Sequence, residues 1–550
     1  MPLRVIEPLE APPFIPIAAA SGFTVVLIKN IIKERSGNMF VHELLRRGEP
    51  EATAIIEKDT SYTYRGMARL TSAARDRLYA LGIGRGDRVA LFSRNSAAYV
   101  AIHLALSSLG AIAVPMNFQL SPRETAFILK DSGSTLLVAD KPSEIKAGLV
   151  DVDCKNVRVV SMEDLVSPHA NELGAVTLDS RQVSGLLAPS ASLPHAPELE
   201  GITENDPYII IYTSGTTGRP KGATLSHKNV ISNAYETAER LGITSEDNSL
   251  CVLPMYHCFG WTAAVLTPLY TGGCLTVLPK YQPKDTIQTI KYKKTTVLYI
   301  VPSIASLILK LASKEDLENV RLSVIGGTAL PEKLARDYEK KFGQTPTEAY
   351  GLSETSPIVT LNPPGKEKIG YIGIPMKDVE TKIVDGNGKE VPDGETGELL
   401  VRGPIVMLGY WGRPDATKET IEPDGWLHTG DIVRRDEDGY LQIVDRIKDM
   451  IISMGENIYP REIEELVYKF PGIHECAVIG VPDKIRGQAG ACYYSVQPDH
   501  HVDDKALKIY LRMNLALFKI PREFHEIDEL PHTATGKISK RLLKEQRENA

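Results

Sequence analysis

Short runs of consecutive apolar residues, each closed by glycine, proline or hydroxyl residues, recur along most of the chain. RVALF (88–92), AIAVPM (111–116), YIIIYT (208–213), LCVLP (250–254), CLTVLP (274–279), VLYIVP (297–302) and RLSVIGG (321–327) have the length and uniform apolarity of strands buried on both faces. Helical patterns stand between them: SAAYVAIHLALSSLG (96–110), a segment opening at Ser226 and closing before Gly242, another from Trp261, and PEKLARDYEKKFG (331–343) with proline at its start. This alternation predicts open parallel sheets whose ligands lie in the loops at the carboxyl ends of the strands.

The pattern changes twice. From 377 to 445, short alternating strands separated by DGNG, PDGETG and DEDG predict a small antiparallel unit. The last hundred residues (KDMIIS, YPREIEELVYKF, ECAVIGV, ACYYSV, DDKALKIYLRMNLA, REFHEI) predict a compact α+β segment. Residues 161–206 are loose and read as a long surface connection. The predicted fold is α/β: a large N-terminal domain over 39–445, built from two parallel-type βα sheet units and a small antiparallel β unit, then a small α+β domain over 446–550. Residues 1–38 precede them as an N-terminal arm. Its FIPIAAASGFTVVLIKNII (14–32) is interrupted by Lys29 and Asn30 and lacks a basic lead, so a packed arm is preferred to a signal or a membrane span, with peripheral membrane contact as the alternative.

Composition narrows the chemistry. A charge of 63 minus 70, or −7, argues against nucleic acid as a partner. Six scattered cysteines form no C-x-x-C pair, which fits a reducing, cytoplasmic setting without a zinc site or a disulfide framework. H-E-x-x-H, G-x-S-x-G and G-x-G-x-x-G are all missing from the sequence.

What remains is a set of polar clusters set into the apolar framework. IYTSGTTGRPKG (211–222) is not a Walker loop, because Pro220 stands where that motif has its second glycine. Thr213, Ser214, Thr216 and Thr217 nevertheless supply hydroxyls, Gly215 and Gly218 free the backbone to face an anion, and Lys221 adds a positive charge. AYGLSETS (349–356) sets Glu354 among hydroxyls after a strand. GWLHTGD (425–431) ends in Asp431, DRIKD (445–449) joins the antiparallel unit to the last segment, and TATGKISK (533–540) carries Lys537. Singly, each reads equally well as a turn, a hairpin tip, a linker or a tail.

Together, in this order, the five clusters resemble the adenylate-forming superfamily of acyl-CoA synthetases, luciferases and adenylation domains, over roughly residues 39–545. The resemblance implies an ATP-dependent ligase that converts a carboxylic acid to acyl-AMP with release of pyrophosphate and passes the acyl group to coenzyme A, with Mg²⁺ as the metal. Two anions must meet, so positive charge has to stand where they converge. The resemblance assigns Lys537 to the bridging oxygens of the acyl phosphate, Glu354 and Thr217 to Mg²⁺, Thr355 to the α phosphate, and the 213–221 loop to the β and γ phosphates. Asp431 takes the ribose hydroxyls. Gly326, Gly327, Thr328, Tyr350 and Gly351 form the adenine site, with core packing as the other reading of Tyr350, and Arg446 contacts ribose or phosphate. Lys448 marks the hinge of a mobile C-terminal lid.

YHCFGW (256–261) should line the acyl pocket, with Tyr256, His257 and Trp261; His257 is also counted among the catalytic residues. No acidic residue stands there to pair with an amino group, so an amino acid is disfavoured. A medium- or long-chain fatty acid is expected, with an aryl acid or a carrier-protein acceptor as the alternative and a degenerate, non-catalytic binder as the alternative outside enzymes. Trp261 reads either as an aromatic gate or as a core tryptophan. The family's pair of adjacent glycines is here Met454 and Gly455, beside the coenzyme A channel. A homodimer is compatible with this reading.

Overall fold

All seven apolar runs are strands: Arg88–Phe92, Ile112–Met116, Pro207–Thr213, Asn248–Cys251, Cys274–Val277, Val297–Ile300 and Leu322–Gly326. They belong to a computed structural model that describes residues 39–149, 154, 157–166, 176–177, 196–197, 200–213, 220–454, 456–498, 500–532 and 538–548. The expected N-terminal arm, much of the 161–206 connection, loop residues 214–219, Gly455 and Lys537 lie outside the described residues.

Two mixed sheets form the large domain. In a nine-stranded sheet the strands Thr53–Glu57, Cys274–Val277, Asn248–Cys251, Val297–Ile300, Leu322–Gly326 and Thr347–Gly351 run parallel in that spatial order, with Tyr299 opposite Val324. Antiparallel strands close both edges. In an eight-stranded sheet Pro207–Thr213, Ile112–Met116, Arg88–Phe92, Leu136–Ala139 and Arg158–Ser161 are parallel neighbours. Their side chains are buried on both faces, as the unbroken apolar runs require.

Three local features differ from the pattern-based expectation. Lys221–Ser226 is a strand, antiparallel to Pro207–Thr213 with Thr213 opposite Lys221; its mixed composition hides it. The segment expected from Trp261 starts at Phe259 and is wound wide, with i+5 bonding, to Leu266; Gly260 within it packs so closely that a Cβ would come within 2.2 Å of the Pro254 carbonyl oxygen. Pro331 precedes the helix Glu332–Phe342 as its N-cap rather than entering its first turn.

The helix His227–Leu241 ties distant loops to the body of the large domain. Ser226 caps it through the Asn229 amide at 3.1 Å and Gly242, at φ 58, ends it. Asn229 and Asn233, one turn apart on its buried face, reach outward from it. Asn229 Nδ2 donates to the carbonyls of Pro404 (2.7 Å) and Val406 (2.9 Å), and Asn233 Nδ2 donates to that of Ile358 (2.7 Å).

The strands Glu380–Val384, Thr396–Arg402, Leu427–Arg435 and Leu441–Arg446 make the expected antiparallel unit. Beyond it a five-stranded sheet carries the helices Pro460–Lys469 and Asp504–Asn514 on one apolar cluster, with Ile463, Val467, Leu507 and Leu511, and the helix Lys540–Glu548 on another through Leu543. Asp445, at the end of the antiparallel unit, accepts the Arg461 amide at 2.9 Å and so caps the first of these helices. Lys469 pairs with Glu332 at 3.3 Å. Among the described residues no helix is long and apolar enough to cross a membrane.

Candidate active site

The loop after strand Thr347–Gly351 is fixed by its backbone. A Cβ at Gly351 would fall 1.6 Å from the Pro357 carbonyl oxygen, so only glycine fits. The Thr355 hydroxyl is buried, accepts the Leu352 amide at 3.0 Å and lies 2.9 Å from the Pro357 carbonyl oxygen, so here it holds the loop itself. Glu354 is thereby presented outward, and its Oε1 accepts the Tyr410 hydroxyl at 2.8 Å.

Tyr410 lies in a two-residue strand, Gly409–Tyr410, laid against Lys221–Ser226. Its ring faces the Lys221 ammonium, 5.0 Å from the centroid. Four further bonds zip the 405–411 segment into place: Ser356 Oγ to the Ile405 carbonyl (2.8 Å), the Met407 amide to the Glu354 carbonyl (2.9 Å), the Leu408 amide to the Thr224 carbonyl (2.9 Å) and the Trp411 amide to the Gly222 carbonyl (2.8 Å). Lys221 and Glu354, expected on separate grounds, therefore share one neighbour. Burial and the Glu354 charge push the Tyr410 phenol well above its ordinary value, which keeps it a donor.

Asp431 sits inside strand Leu427–Arg435, directly across from Arg446, and is 2% exposed. It accepts the Tyr350 hydroxyl at 2.6 Å and Arg446 Nε at 2.9 Å. Tyr350 combines both expected readings: its ring is part of the main core, while its hydroxyl is polar-bonded to Asp431. Burial first, then the Asp431 charge, raise the Tyr350 phenol, and Asp431 also raises Arg446. Lys448 is held below the usual lysine range by desolvation and by the like charge of Arg446.

Residues 256–261 adjoin this group. Cys258 Sγ is 3.4 Å from Ser353 Oγ, and the Phe259 ring lies against Gly326, where a Cβ would come within 3.3 Å of it. His257 Nδ1 accepts the Phe259 amide at 3.2 Å. Tyr256 meets Phe118 edge-on at 6.0 Å, and Phe118 in turn lines a largely apolar cavity of about 210 Å³ with Phe92, Leu120 and Ile145, and with Glu144 and Thr125 as its polar members. Trp261 is fully buried and stacked on His103 at 4.0 Å, the arrangement of a core tryptophan. Gly327 takes φ 85 and Thr328 is exposed after strand Leu322–Gly326. Met454 is 66% exposed at φ 55.

Several residues that order the site were not singled out in the sequence. Asn95 is buried, accepts the Met255 amide at 2.8 Å and donates to the carbonyls of Leu253 (2.8 Å) and Leu278 (3.1 Å), fixing the turn before Tyr256. Asn229 and Asn233 show one signal, a pair of amides at helical spacing on the buried face, which also holds Glu236 and Thr237. Tyr410 carries none beyond a glycine before it.

Two mixed sheets with a small α+β unit, and charged side chains brought together at Glu354 and Lys221 and at Asp431 and Arg446, are the arrangement expected of an adenylate-forming enzyme. The AMP-binding enzyme profile matches residues 43–411 and the AMP-binding enzyme C-terminal domain profile matches residues 462–537. The chain belongs to the AMP-binding enzyme family. It is 34% identical over 498 residues to a feruloyl-CoA synthase of Amycolatopsis sp, covering 90% of this chain and 96% of that one. It is 35% identical over 489 residues to a long-chain-fatty-acid–CoA ligase of Salmonella typhimurium, covering 85% and 86%. The O-succinylbenzoate coenzyme A synthetase of Bacillus subtilis, solved with ATP and magnesium ion, superposes with a TM-score of 0.78 at 30% identity, over 92% of this chain and 99% of that one. The protein is an ATP-dependent acid–CoA ligase whose substrates are ATP, coenzyme A and a carboxylic acid, with Mg²⁺ as the metal.

Proposed function

We propose that the acid is a medium- or long-chain fatty acid, activated as acyl-AMP and then transferred to coenzyme A. The observation that carries this reading is the wall beside Glu354: Tyr256, Cys258 and Phe259, continued by Phe118 to an apolar cavity. Such a wall accepts an alkyl chain, and the carboxylate at the cavity, Glu144, is paired with Lys141 at 2.8 Å rather than left for a substrate ammonium group. The same aromatic rings favour an aryl acid as the second reading, in keeping with the likeness to a feruloyl-CoA synthase.

Glu354 fits a divalent cation: it is a hard oxygen donor with one oxygen engaged by Tyr410 and no described residue bonded to the other. With Thr217, it would hold the Mg²⁺ that offsets charge on the ATP phosphates. Lys221 stands at the strand end that flanks the 214–219 loop and would meet the outer phosphates; Asp431 and Arg446 would take the ribose, with the ring of Tyr350 and Gly326–Gly327 at the adenine. Thr355, at the α phosphate, and His257 complete the proposed set.

We place the domain boundary after Asp445 and the hinge at Lys448. Lys537 belongs to the adenylation step, where its charge bridges phosphate and carboxylate. Lys537→Ala is expected to abolish acyl-AMP synthesis while still converting supplied acyl-AMP to acyl-CoA; equal losses would remove that assignment. A cytoplasmic setting is proposed on six cysteines that form no disulfide. Truncation of residues 1–36 with liposome sedimentation distinguishes a packed arm from a membrane contact.

The deciding experiment is exchange of labelled pyrophosphate into ATP across saturated acids of increasing length and a set of cinnamates and benzoates, followed by thiol consumption with coenzyme A. Exchange with longer saturated acids is expected. Exchange with aryl acids alone would establish the second reading, and silence across the whole panel would leave a binder without turnover.

A further inference from the structure

The contacts of Tyr410 give it a place between the two charged groups on which ATP handling rests. Its hydroxyl donates to one oxygen of Glu354 and its ring face receives the Lys221 ammonium, while no carboxylate of the described residues pairs with that lysine. The placement is built rather than incidental. Gly409, at φ 137, sits where a Cβ would come within 2.7 Å of Thr417, and the Tyr410 amide donates to Thr417 Oγ1 at 2.9 Å. Asn229 holds the carbonyls of Pro404 and Val406 and Asn233 that of Ile358, so one helix fixes both segments that carry the contact.

We propose that Tyr410 is a positioning residue for metal and phosphate: its hydroxyl sets the rotation of the Glu354 carboxylate so that the second oxygen faces a divalent cation, and its ring parks Lys221 beside the same space. The proposal rests on the Glu354 and Lys221 roles given above. The two halves of the contact separate chemically. A phenylalanine keeps the ring, and with it the cation–π contact, but loses the donor; a leucine loses both. A carboxylate without its hydrogen bond samples other rotamers, so only metal-bound nucleotide should feel the loss of the hydroxyl. Removal of the ring should weaken nucleotide whether or not a metal is present, because Lys221 then has no resting partner.

The test is equilibrium binding of ATP, with Mg²⁺ and in EDTA, to the full chain and to Tyr410→Phe, Tyr410→Leu, Glu354→Gln and the Tyr410→Phe/Glu354→Gln pair, with melting temperatures alongside. Pyrophosphate exchange by the unaltered protein first establishes that the underlying reading holds. Tyr410→Phe should weaken MgATP binding about fivefold to tenfold and leave metal-free ATP unchanged. In the Glu354→Gln background the same change should matter by less than about twofold. Tyr410→Leu should weaken both forms of ATP. Equal weakening of both forms by Tyr410→Phe, or an undiminished effect in the Glu354→Gln background, would overturn the proposal even where the exchange assay succeeds.

Discussion

At Met454 the backbone takes φ 55, a left-handed conformation that costs an L side chain roughly 1–2 kcal/mol and glycine almost nothing. The side chain is 66% exposed, so packing returns little of that cost. Met454→Gly is therefore expected to raise stability by about 0.5–1 kcal/mol after the extra freedom of the unfolded chain is counted, read from denaturant midpoints. If the side chain also narrows the path to coenzyme A, single-turnover transfer from supplied acyl-AMP should accelerate; an unchanged rate would leave Met454 a strained surface residue and nothing more. Such single positions are where sequence reading is weakest. Residue type exposed Glu354, Asp431 and Lys221 as candidates, because charge in a glycine- and hydroxyl-rich loop is unusual. It left the two readings of Tyr350 unresolved, since core packing and a hydroxyl bond to Asp431 draw on the same side chain and both are present.

The helix His227–Leu241 was legible from its cap, its terminal glycine and its period, as were the buried strands. Strand Lys221–Ser226 was not, because its pairing with Pro207–Thr213 comes from tertiary structure and its own residues alternate too little. The wide turn at 259–266 is hidden because periodicity does not separate i+4 from i+5 bonding over two turns. The helix His227–Leu241 also buries Glu236 at 3% exposure. Desolvation, then the charge of Asp378, push its carboxyl from 4.5 up to about 7. A raised carboxyl value means that the folded form holds a proton the unfolded form releases. The associated stability is full below the ordinary value and lost as pH climbs to about 7. Glu236→Gln removes that loss: melting curves should show it more stable than the unaltered protein near pH 8, by about 1–3 kcal/mol, and flatter from pH 5 upward. Parallel pH profiles would show that Glu236 ionises without cost.

Across the whole molecule, the division into a large α/β body and a small α+β unit follows from where strand grammar changes, and five separated clusters sufficed for the resemblance. How the two bodies meet was not legible, because Asp445 with Arg461 and Glu332 with Lys469 are paired only by folding. Lys469→Glu sets like charges beside Glu332 and Glu465. It is expected to change the rates of acyl-AMP formation and of acyl transfer in opposite directions, by about twofold to fivefold, with Glu332→Lys restoring the balance. Equal changes in both would mean that the pair only stabilises the fold. Asp431 carries a consequence of its own. Its oxygens already hold a phenol and a guanidinium with acceptor sites to spare, so on the proposed role an arriving ribose meets a carboxylate that is aimed beforehand. A carboxylate fixed in this way loses little freedom on meeting a sugar and favours the hydroxyl geometry it already faces. Arg446, which does part of that aiming, stands two residues before Lys448. On the proposed roles, one carboxylate–guanidinium contact therefore belongs to the sugar's seat and to the approach to the joint alike.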